Sequence, residues 1–211
     1  MRTIVFASHK GGCGRSTLAT CLAVAAEQAG ESVIVFDLDP KGCTARWSAR
    51  RRDRELAVHR LVAARLPAEL NAAAGKKATL ALIDAPVLET PAALEAVKAA
   101  DLAIVPVLPS TFDVWAAEVT GRRLSLLKQK FVFGVNQCPV RESRRKRDCI
   151  SALKLIGPVL DQQIGASWAF LEAAATGRGV TEITPMGIAA REMRGFWLAL
   201  RPWLFGSPDS G

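Results

Sequence analysis

The sequence has no long hydrophobic run. Half of its 211 residues are hydrophobic, but no run approaches the roughly 18 consecutive apolar residues that a membrane-spanning helix needs. The first residues, MRTIVFASHKGG, contain an apolar run much shorter than the core of a signal peptide, and a glycine-rich segment follows it in place of a cleavage site. We therefore expect a soluble, cytoplasmic protein in which this first run is a β-strand.

The sequence also lacks a cysteine framework. Its cysteines are odd in number, lie far apart, and form neither a CxxC pair nor a cysteine–histidine cluster with metal-ligand spacing. They are Cys13, Cys21, Cys43, Cys138 and Cys149. We expect free, reduced thiols.

Internal repeats, low-complexity segments and breaks in composition are missing as well. A chain of this length can bury a sizeable core as one domain. We expect a single domain over residues 1–205, and a short disordered tail over residues 206–211, where Gly, Ser and Pro are concentrated.

Five short apolar runs have the composition of buried strands. Several are apolar almost without alternation, which is typical of strands buried on both faces. They lie at residues 2–7, 32–37, 79–84, 102–107 and 131–136. Segments with helical spacing lie between and after them, at residues 16–29, 43–54, 90–99, 112–128, 143–156, 167–176 and 186–204. The alternation predicts an α/β fold with a doubly wound, mostly parallel sheet flanked by helices.

A glycine-rich loop joins the first strand to the first helix. Small residues let successive backbone N–H groups turn toward phosphate oxygens, and the helix N-terminus adds a positive dipole. The hydroxyl of Ser16 is placed to bind Mg²⁺. The loop consists of Lys10, Gly11, Gly12, Cys13, Gly14, Arg15, Ser16 and Thr17. A glycine-rich turn without a ligand is the plainer alternative, but a basic residue followed by two hydroxyl residues favours a nucleotide site.

Arg15 departs from the usual phosphate loop, which has a lysine at this position. A guanidinium is planar, larger and bidentate, so it can hold phosphate oxygens but fits a tight loop less readily than an ammonium does. We expect Arg15 to serve as the cation that the loop itself supplies to the reaction. Its presence leaves the rate of hydrolysis open.

Three aspartates end or follow apolar strands. Asp37 and Asp39 lie two residues apart, on one side of an extended chain, and Asp84 ends another strand. The carboxyl ends of strands are where open α/β sheets bind ligands. A single such aspartate would more often be a turn residue or a helix cap, but three of them together with a phosphate loop predict a metal–nucleotide site.

The segment from His9 to Thr17 resembles the KGGxGK[ST]T loop of the ParA/MinD family of deviant Walker A ATPases. DLDPKG at residues 37–42 is similar to that family's DxDPQG, and LALIDAP at residues 80–86 resembles its Walker B strand. Further similar segments extend the resemblance over nearly the whole chain, at residues 100–110, 133–137 and 169–182. The small size resembles members that lack an added DNA-binding domain.

This resemblance implies a role for each site residue, with ATP and Mg²⁺ as cofactors. Lys10 would reach across a sandwich dimer and neutralise phosphate charge on the partner subunit's nucleotide. Asp39 would position or activate the attacking water, Asp37 would support the Mg²⁺ shell, and Asp84 would hold Mg²⁺ through water. Asn136 would read the edge of the adenine, because a carboxamide has both a donor and an acceptor.

The resemblance also implies partners and a location. The chain would be a weak ATPase that forms a homodimer in its ATP state and binds DNA non-specifically. A ParB-like or adaptor protein would stimulate hydrolysis, and the protein would be cytoplasmic and nucleoid-associated. Its task would be plasmid or chromosome partition, or the positioning of another cellular cargo.

The charge balance is basic. A formal charge of +8 and a pI near 9.7 favour polyanions as partners, with nucleic acid first and an anionic membrane surface second. Residues 50–54 form one basic cluster, and the densest contains Arg144, Arg145, Lys146 and Arg147. A charge run is often only a solvated helix face, but the excess favours binding of DNA phosphates by at least one cluster, without a base-reading element.

Two other functions stay open. A membrane-surface ATPase of the MinD kind would use the last helix, which mixes aromatic residues with arginines; we favour a helix that packs on the core and is interrupted at Pro202. A nucleotide-binding switch with little turnover would follow from Arg15. An iron–sulfur reductase of the same superfamily is disfavoured, since no two cysteines are placed to bridge a cluster between subunits.

Overall fold

The fold is built around one parallel sheet. The structure is a computed structural model that describes residues 1–52, 56–139 and 144–206. Within these residues, six parallel strands pair in the order β3-β2-β4-β1-β5-β6. They are β1 (Arg2–Phe6), β2 (Val33–Asp37), β3 (Ala57–Arg60), β4 (Leu80–Asp84), β5 (Leu102–Val107) and β6 (Phe131–Val135). The predicted α/β class and parallel sheet are confirmed.

Helices cover both faces of the sheet. They are α1 (Arg15–Gln28), α2 (Cys43–Ser48), α3 (Leu66–Gly75), α4 (Pro91–Lys98), α5 (Thr111–Leu126), α6 (Arg144–Ile156), α7 (Trp168–Thr176), α8 (Val180–Ile183) and α9 (Ile188–Phe205). A short 3₁₀ turn, Ala63–Arg65, precedes α3. The five expected strands and all seven expected helical segments have counterparts here.

The sequences of strands other than β3 are mostly apolar because each of these strands contributes to two cores. In β1, Ile4 and Phe6 pack in the core that contains α1 and α9, whereas Val5 packs in the opposite core, with α3 to α6. Successive side chains of a strand point to opposite faces of the sheet. Burying both faces therefore requires an apolar residue at every position.

The connections wind the sheet in two directions from its centre. The chain leaves β1 toward β2 on one side, and the later strands β5 and β6 lie on the other side. The carboxyl end of β1 is therefore the switch point of the sheet, where open α/β sheets bind their ligands. The glycine-rich loop begins there.

The elements without a counterpart in the sequence-based expectations include strand β3 and helix α3, besides the 3₁₀ turn and the short helix α8. Strand β3 is only four residues long and half exposed at the edge of the sheet, so its sequence shows neither a continuous apolar run nor a clear alternation. Helix α3 buries only Leu66, Leu70 and Ala73. Both elements depend on pairing or packing with a sheet that is already formed.

Two expected helix boundaries are wrong. The helix expected over residues 43–54 ends at Ser48, and the segment after it includes Arg51, whose side chain turns inward. The expected interruption at Pro202 does not occur, because α9 continues to Phe205. A proline inside a helix leaves the carbonyl four residues before it without its helical partner; here that residue is Leu198, which is well exposed.

Helix α9 packs on the core, as favoured from the sequence. Its apolar stripe, including Met193, Phe196 and Trp197, is buried against α1 and the sheet. Among the described residues, no helix combines the length and the hydropathy needed to span a bilayer. Gly206 follows α9, and the rest of the expected tail, residues 207–211, lies outside the described residues.

Candidate nucleotide-binding site

The residues expected at the site come together at one edge of the sheet. The glycine-rich loop follows β1, Asp37 and Asp84 end β2 and β4, and Asn136 follows β6. Asp37 and Asp84 are register partners on adjacent strands, so their side chains emerge side by side. This proximity follows from the parallel sheet, in which all strands end at the same edge.

The loop conformation depends on glycine at two positions. Gly12 and Gly14 have φ angles of 81° and 95°, in the region that L-residues with a side chain avoid. Gly14 is also the N-cap of α1, and a Cβ atom there would lie 2.4 Å from Asn136 Nδ2. The backbone therefore turns where a phosphate loop requires it.

The Arg15 side chain folds back into the loop. Its guanidinium donates to the carbonyl oxygens of Ser8 and Lys10, at 3.3 and 3.0 Å, and lies 3.9 Å from the Asp39 carboxylate. Only a tenth of the Arg15 side chain is exposed. In this conformation the guanidinium is engaged by one carbonyl of the loop and by one just before it.

Asp84 is buried with one oxygen left unpaired. Thr44 donates from its hydroxyl to Oδ2 at 2.7 Å, whereas Oδ1 has no hydrogen-bond partner of normal geometry among the described residues. Burial raises the pKa of Asp84 to about 6; the nearby hydroxyls of Ser16 and Thr44 act in the opposite direction. Sequence reasoning missed Thr44, since its link to Asp84 spans 40 residues and exists only in the fold.

The donor set at Asp84 fits Mg²⁺. A hydroxyl, from Ser16, and a carboxylate oxygen without a partner are hard oxygen ligands of the kind that Mg²⁺ takes. A cation would also remove the cost of holding the Asp84 carboxylate in a buried position. Ser16 and Asp84 are therefore the residues that would hold the ion, directly or through water.

The Asp84 pKa predicts how the stability of the metal-free protein depends on pH. Its ordinary value is near 3.8, so the unfolded chain ionises near pH 4, whereas the folded chain keeps the proton until about pH 6. Ionising Asp84 in the folded protein lowers the free energy of unfolding. This loss is absent below pH 4 and complete above pH 6, where it amounts to about 3 kcal/mol. Asp84→Asn should therefore gain stability relative to wild type as the pH rises from 4 to 7.

Urea unfolding of both proteins in a chelator, at several pH values, measures this difference. Millimolar Mg²⁺ should reduce it, because a cation stabilises the Asp84 carboxylate. Parallel pH profiles for the two proteins would contradict the prediction.

Asp37 and Asp39 form a connected turn after β2. Asp37 accepts backbone N–H groups from Asp39, at 3.1 Å, and from Ala45 near the start of α2, at 2.8 Å. Asp39 accepts the N–H of Lys41 and faces Arg15. Burial raises the pKa of Asp37. Asp37 thus holds in place the segment that carries Asp39. Asp37 itself lies beside Asp84, in a position that supports the ion site.

Lys10 lies at the edge of the site and is held by a residue that sequence reasoning missed. Its Nζ is 2.9 Å from Oδ1 of Asp113, in the first turn of α5. Somewhat less than half of the Lys10 side chain is exposed, whereas the Asp113 side chain is buried. The two residues are 103 positions apart, so no local pattern could have linked them.

Asn136 lies against the phosphate loop, and its carboxamide is buried. Its Nδ2 donates to the Cys13 carbonyl at 2.9 Å, and its Oδ1 accepts the N–H of Gln137. Both polar atoms thus already bond backbone groups. The role of Asn136 in reading adenine stays a prediction, and it requires either bifurcated bonds or an exchange of partners.

A cavity opens beside the loop, between Asn136 and α7. Its volume is about 350 Å³, which suits part of a small organic ligand. Its lining is mostly apolar and includes Gly14, Thr17, Gln137, Trp168 and Leu171. Its position next to Gly14 and Thr17 makes it the candidate pocket for a base attached to phosphates in the loop.

The basic cluster at residues 50–54 does not form one solvated face. Arg51 is buried: its guanidinium donates to both carboxylate oxygens of Glu182, at 3.1 and 3.0 Å, and to the Gly177 carbonyl, and it stacks over Trp47. Arg51 is therefore a structural residue. Arg50 and Arg52 are exposed, and residues 53–55 lie outside the described residues.

The other basic cluster lies at the start of α6. Arg144 and Arg147 are exposed and Lys146 is half-buried; of Arg145 the structure describes only its place in the helix. Arg144 lies 3.7 Å from Asp148, as a surface ion pair. Such pairs contribute little and exchange readily.

A parallel sheet with a glycine-rich loop at its switch point, and with a hydroxyl and buried aspartates beside that loop, defines a phosphate-loop nucleotide-binding protein. Comparison with known proteins makes the class specific. Residues 4–178 match the CobQ/CobB/MinD/ParA nucleotide-binding domain family. The chain belongs to this family and is a deviant Walker A ATPase of the ParA/MinD type.

Individual relatives agree with this assignment. The chain is 25% identical over 200 residues to the maintenance of carboxysome distribution protein A of Halothiobacillus neapolitanus, covering 90% of this chain and 91% of that protein. It shares the fold of apo McdA from Cyanothece, with a TM-score of 0.77 and 19% identity over 95% of this chain and 99% of the other. It also shares the fold of the septum site-determining protein MinD from Pyrococcus horikoshii, which was solved with Mg-ADP, with a TM-score of 0.76 and 18% identity over 93% and 94% of the two chains.

Proposed function

We propose that this chain is an ATP-driven molecular switch. With ATP and Mg²⁺ it forms a sandwich dimer, the dimer binds DNA non-specifically through its basic surface, and a partner protein stimulates slow hydrolysis that releases it. The function would be to position a cellular cargo or to partition a plasmid or chromosome. The nucleoid would be the surface on which it works.

The position of Lys10 carries this proposal. The loop already has a cation of its own, because Arg15 hydrogen-bonds loop carbonyls and faces Asp39. Lys10 instead extends to Asp113 and is partly exposed. A second cation at the edge of a phosphate site, not engaged with its own loop, would serve a nucleotide on another subunit after it leaves Asp113. In that position it would stabilise charge that develops on the phosphates.

The chemistry at the site follows from its own residues. Backbone N–H groups of the loop would bind the phosphates, and Mg²⁺, held by Ser16 and Asp84, would neutralise and orient them. Asp39 would position the attacking water, and Asp37 would hold Asp39 in place through the backbone of the turn. The apolar cavity next to Gly14 would take the base.

Cargo positioning is supported by one relative. The Halothiobacillus neapolitanus protein is named for the maintenance of carboxysome distribution. An identity of 25% is too low to transfer a particular cargo. The proposal for this chain is therefore the general one, with a partner protein linking the ATPase to its cargo.

DNA binding is supported by charge. The net charge of +8 and the exposed arginines at the start of α6 suit phosphate contacts that need no base readout. Exposed arginines near the end of α2, such as Arg52, are a second possible contact region. Arg51 is not included, because its guanidinium is engaged by Glu182.

The test compares ATP with ADP. In the presence of Mg²⁺, ATP should shift the protein from monomer to dimer in sedimentation velocity and should promote its co-sedimentation with DNA in a salt-sensitive manner. Lys10→Ala should keep nucleotide binding by the monomer but lose most of the dimer. Affinity for DNA falls as salt rises, and replacing Arg144 and Arg147 together with alanine should make the slope of log affinity against log salt less negative by about 2.

Equal sedimentation with ATP and ADP would contradict the switch. Loss of monomer nucleotide binding in Lys10→Ala, to the same extent as dimerisation, would contradict the action of Lys10 in trans. Binding to anionic liposomes in place of DNA would favour a membrane-surface ATPase instead, a role in which the buried stripe of α9 would take no part.

A second candidate function is a nucleotide switch with little turnover. Its support is the Arg15 guanidinium, which is bulkier than an ammonium and hydrogen-bonds the loop. Phosphate release that stays at background with DNA and partner present, but appears in an Arg15→Lys variant, would favour this candidate.

A further inference from the structure

Asp113 holds the loop lysine through an arrangement that ordinary helix capping does not explain. Asp113 stands three residues after Ser110, the N-cap of α5. In a capping box, the acid at this position would reach back to the N-cap backbone N–H. Here that N–H donates to the carbonyl of Leu108. The Asp113 carboxylate bonds two other groups, the Ser110 hydroxyl through Oδ2 and the Lys10 ammonium through Oδ1.

The surroundings of Asp113 hold its side chain in one position. The side chain is 7% exposed, and it lies in the first turn of a helix, where the dipole stabilises a negative charge. The Ser110 hydroxyl also accepts the Asp113 N–H, so it bonds both the backbone and the carboxylate of Asp113. Lys10 is therefore bound to a rigid acceptor, not to a mobile surface acid.

Release of Lys10 would be energetically unfavourable because it leaves the Asp113 carboxylate without its charged partner. If the lysine moved away, a nearly buried carboxylate would keep, among the described side chains, only the neutral hydroxyl of Ser110 as a hydrogen-bond partner. Removing one member of such a charged pair is unfavourable because the other is left poorly solvated. The contact between Lys10 and Asp113 thus opposes any movement of Lys10 toward a nucleotide.

We propose that Asp113, fixed by Ser110, is a positioning residue that retains Lys10 in the nucleotide-free subunit, so that ATP-dependent dimerisation must first break this ion pair. The inference rests on the proposed function, since it assumes that Lys10 acts on the nucleotide of a second subunit. The retention sets a threshold, and dimers form only where a nucleotide competes for the ammonium more strongly than Asp113 does.

The first experiment tests retention and does not depend on dimerisation. In the nucleotide-free protein, trace acylation with acetic anhydride followed by peptide mass spectrometry measures the reactivity of Lys10, with Lys98 as an internal reference. Asp113→Asn should make Lys10 react about 5-fold faster, which corresponds to the loss of about 1 kcal/mol from a partly exposed charged hydrogen bond. Asp113→Glu, which keeps the charge, should remain closer to wild type.

The second experiment tests the threshold. Asp113→Asn should reach half-maximal dimerisation at a protein concentration about 25-fold lower than wild type, at saturating ATP and Mg²⁺, because each dimer breaks two of these ion pairs and each pair contributes about 5-fold. The matched control is Glu118→Gln, which makes the same charge change on the same helix at an exposed ion pair with Arg122. It should leave both labelling and dimerisation unchanged.

Each outcome decides a different point. Equal labelling of Lys10 in wild type and Asp113→Asn overturns the retention, provided that thermal unfolding shows both proteins folded; if Asp113→Asn does not fold, Asp113→Glu and Ser110→Ala replace it in the same comparison. Faster labelling with unchanged or weaker dimerisation overturns the threshold. A wild type that labels as expected but never dimerises with ATP counts against the proposed function alone.

Discussion

Replacing Gly14 with alanine is expected to reduce nucleotide affinity by about 100-fold and to lower the free energy of unfolding by about 4 kcal/mol. Two costs combine at this position. The φ angle of 95° is strained for any residue with a Cβ atom, which costs about 1–2 kcal/mol. The new atom would also lie 2.4 Å from Asn136 Nδ2, and overpacking of this kind costs about 1–3 kcal/mol. The protein can reduce the backbone strain or the contact with Asn136 only by moving the loop backbone that would bind phosphate. Isothermal titration with ATP and urea unfolding measure the two effects.

Gly11 provides the matched control for stability. A Cβ atom at Gly11 would meet no described atom within 4 Å, and its φ angle is not in the left-handed region. Gly11→Ala should therefore change the free energy of unfolding by less than about 0.5 kcal/mol. A cycle with Asn136→Ala separates the two costs at Gly14, since removing the carboxamide relieves the contact but not the backbone strain. Wild-type affinity and stability in Gly14→Ala would show that the loop does not depend on this conformation.

Replacing Arg51 with alanine is expected to lower the free energy of unfolding by about 4 kcal/mol. Its side chain is 3% exposed and forms a two-pronged pair with Glu182, which also accepts the N–H of Gly179. Removing one partner of a buried pair typically costs about 3–5 kcal/mol because the other charge remains buried. The pair joins the segment after α2 to α8. Urea unfolding monitored by circular dichroism measures the change.

Arg52 is the matched control for Arg51, because it is the next residue, has the same charge and is exposed. Arg52→Ala should alter stability by less than about 0.5 kcal/mol. Adding Glu182→Gln to Arg51→Ala should recover part of the loss, since the second change removes the unpaired charge. The stability of Arg51→Lys should lie between those of wild type and Arg51→Ala, because an ammonium keeps the charge but cannot reproduce the bidentate contact. Equal effects of Arg51→Ala and Arg52→Ala would contradict a structural role for the pair.

Much of the fold and part of the site could be predicted because their signals are local. A run such as TIVF before a glycine-rich loop specifies a buried strand and a turn without reference to the rest of the chain. The same holds for Asp37 and Asp84, each of which ends an apolar run. The parallel sheet then places these residues at one edge.

Other features of the site could not be predicted because their partners are distant in sequence. Thr44 meets Asp84 and Lys10 meets Asp113 only after the chain has folded. Arg51 could not be predicted correctly for the same reason. Its sequence neighbours suggest a basic surface, but burial against Glu182 removes it from that surface.

The sequence by itself determined the α/β class, the phosphate loop and the identity of the acids at the strand ends, because period, glycine content and residue type act over a few residues. Only the tertiary structure decided which charges are free and which are engaged. The cause is that the state of a charged side chain depends on burial and on partners that the fold brings from far along the chain. Lys10 and Arg15 illustrate this, since both are cations of the same loop. Arg15 hydrogen-bonds the loop itself, whereas Lys10 is held by α5.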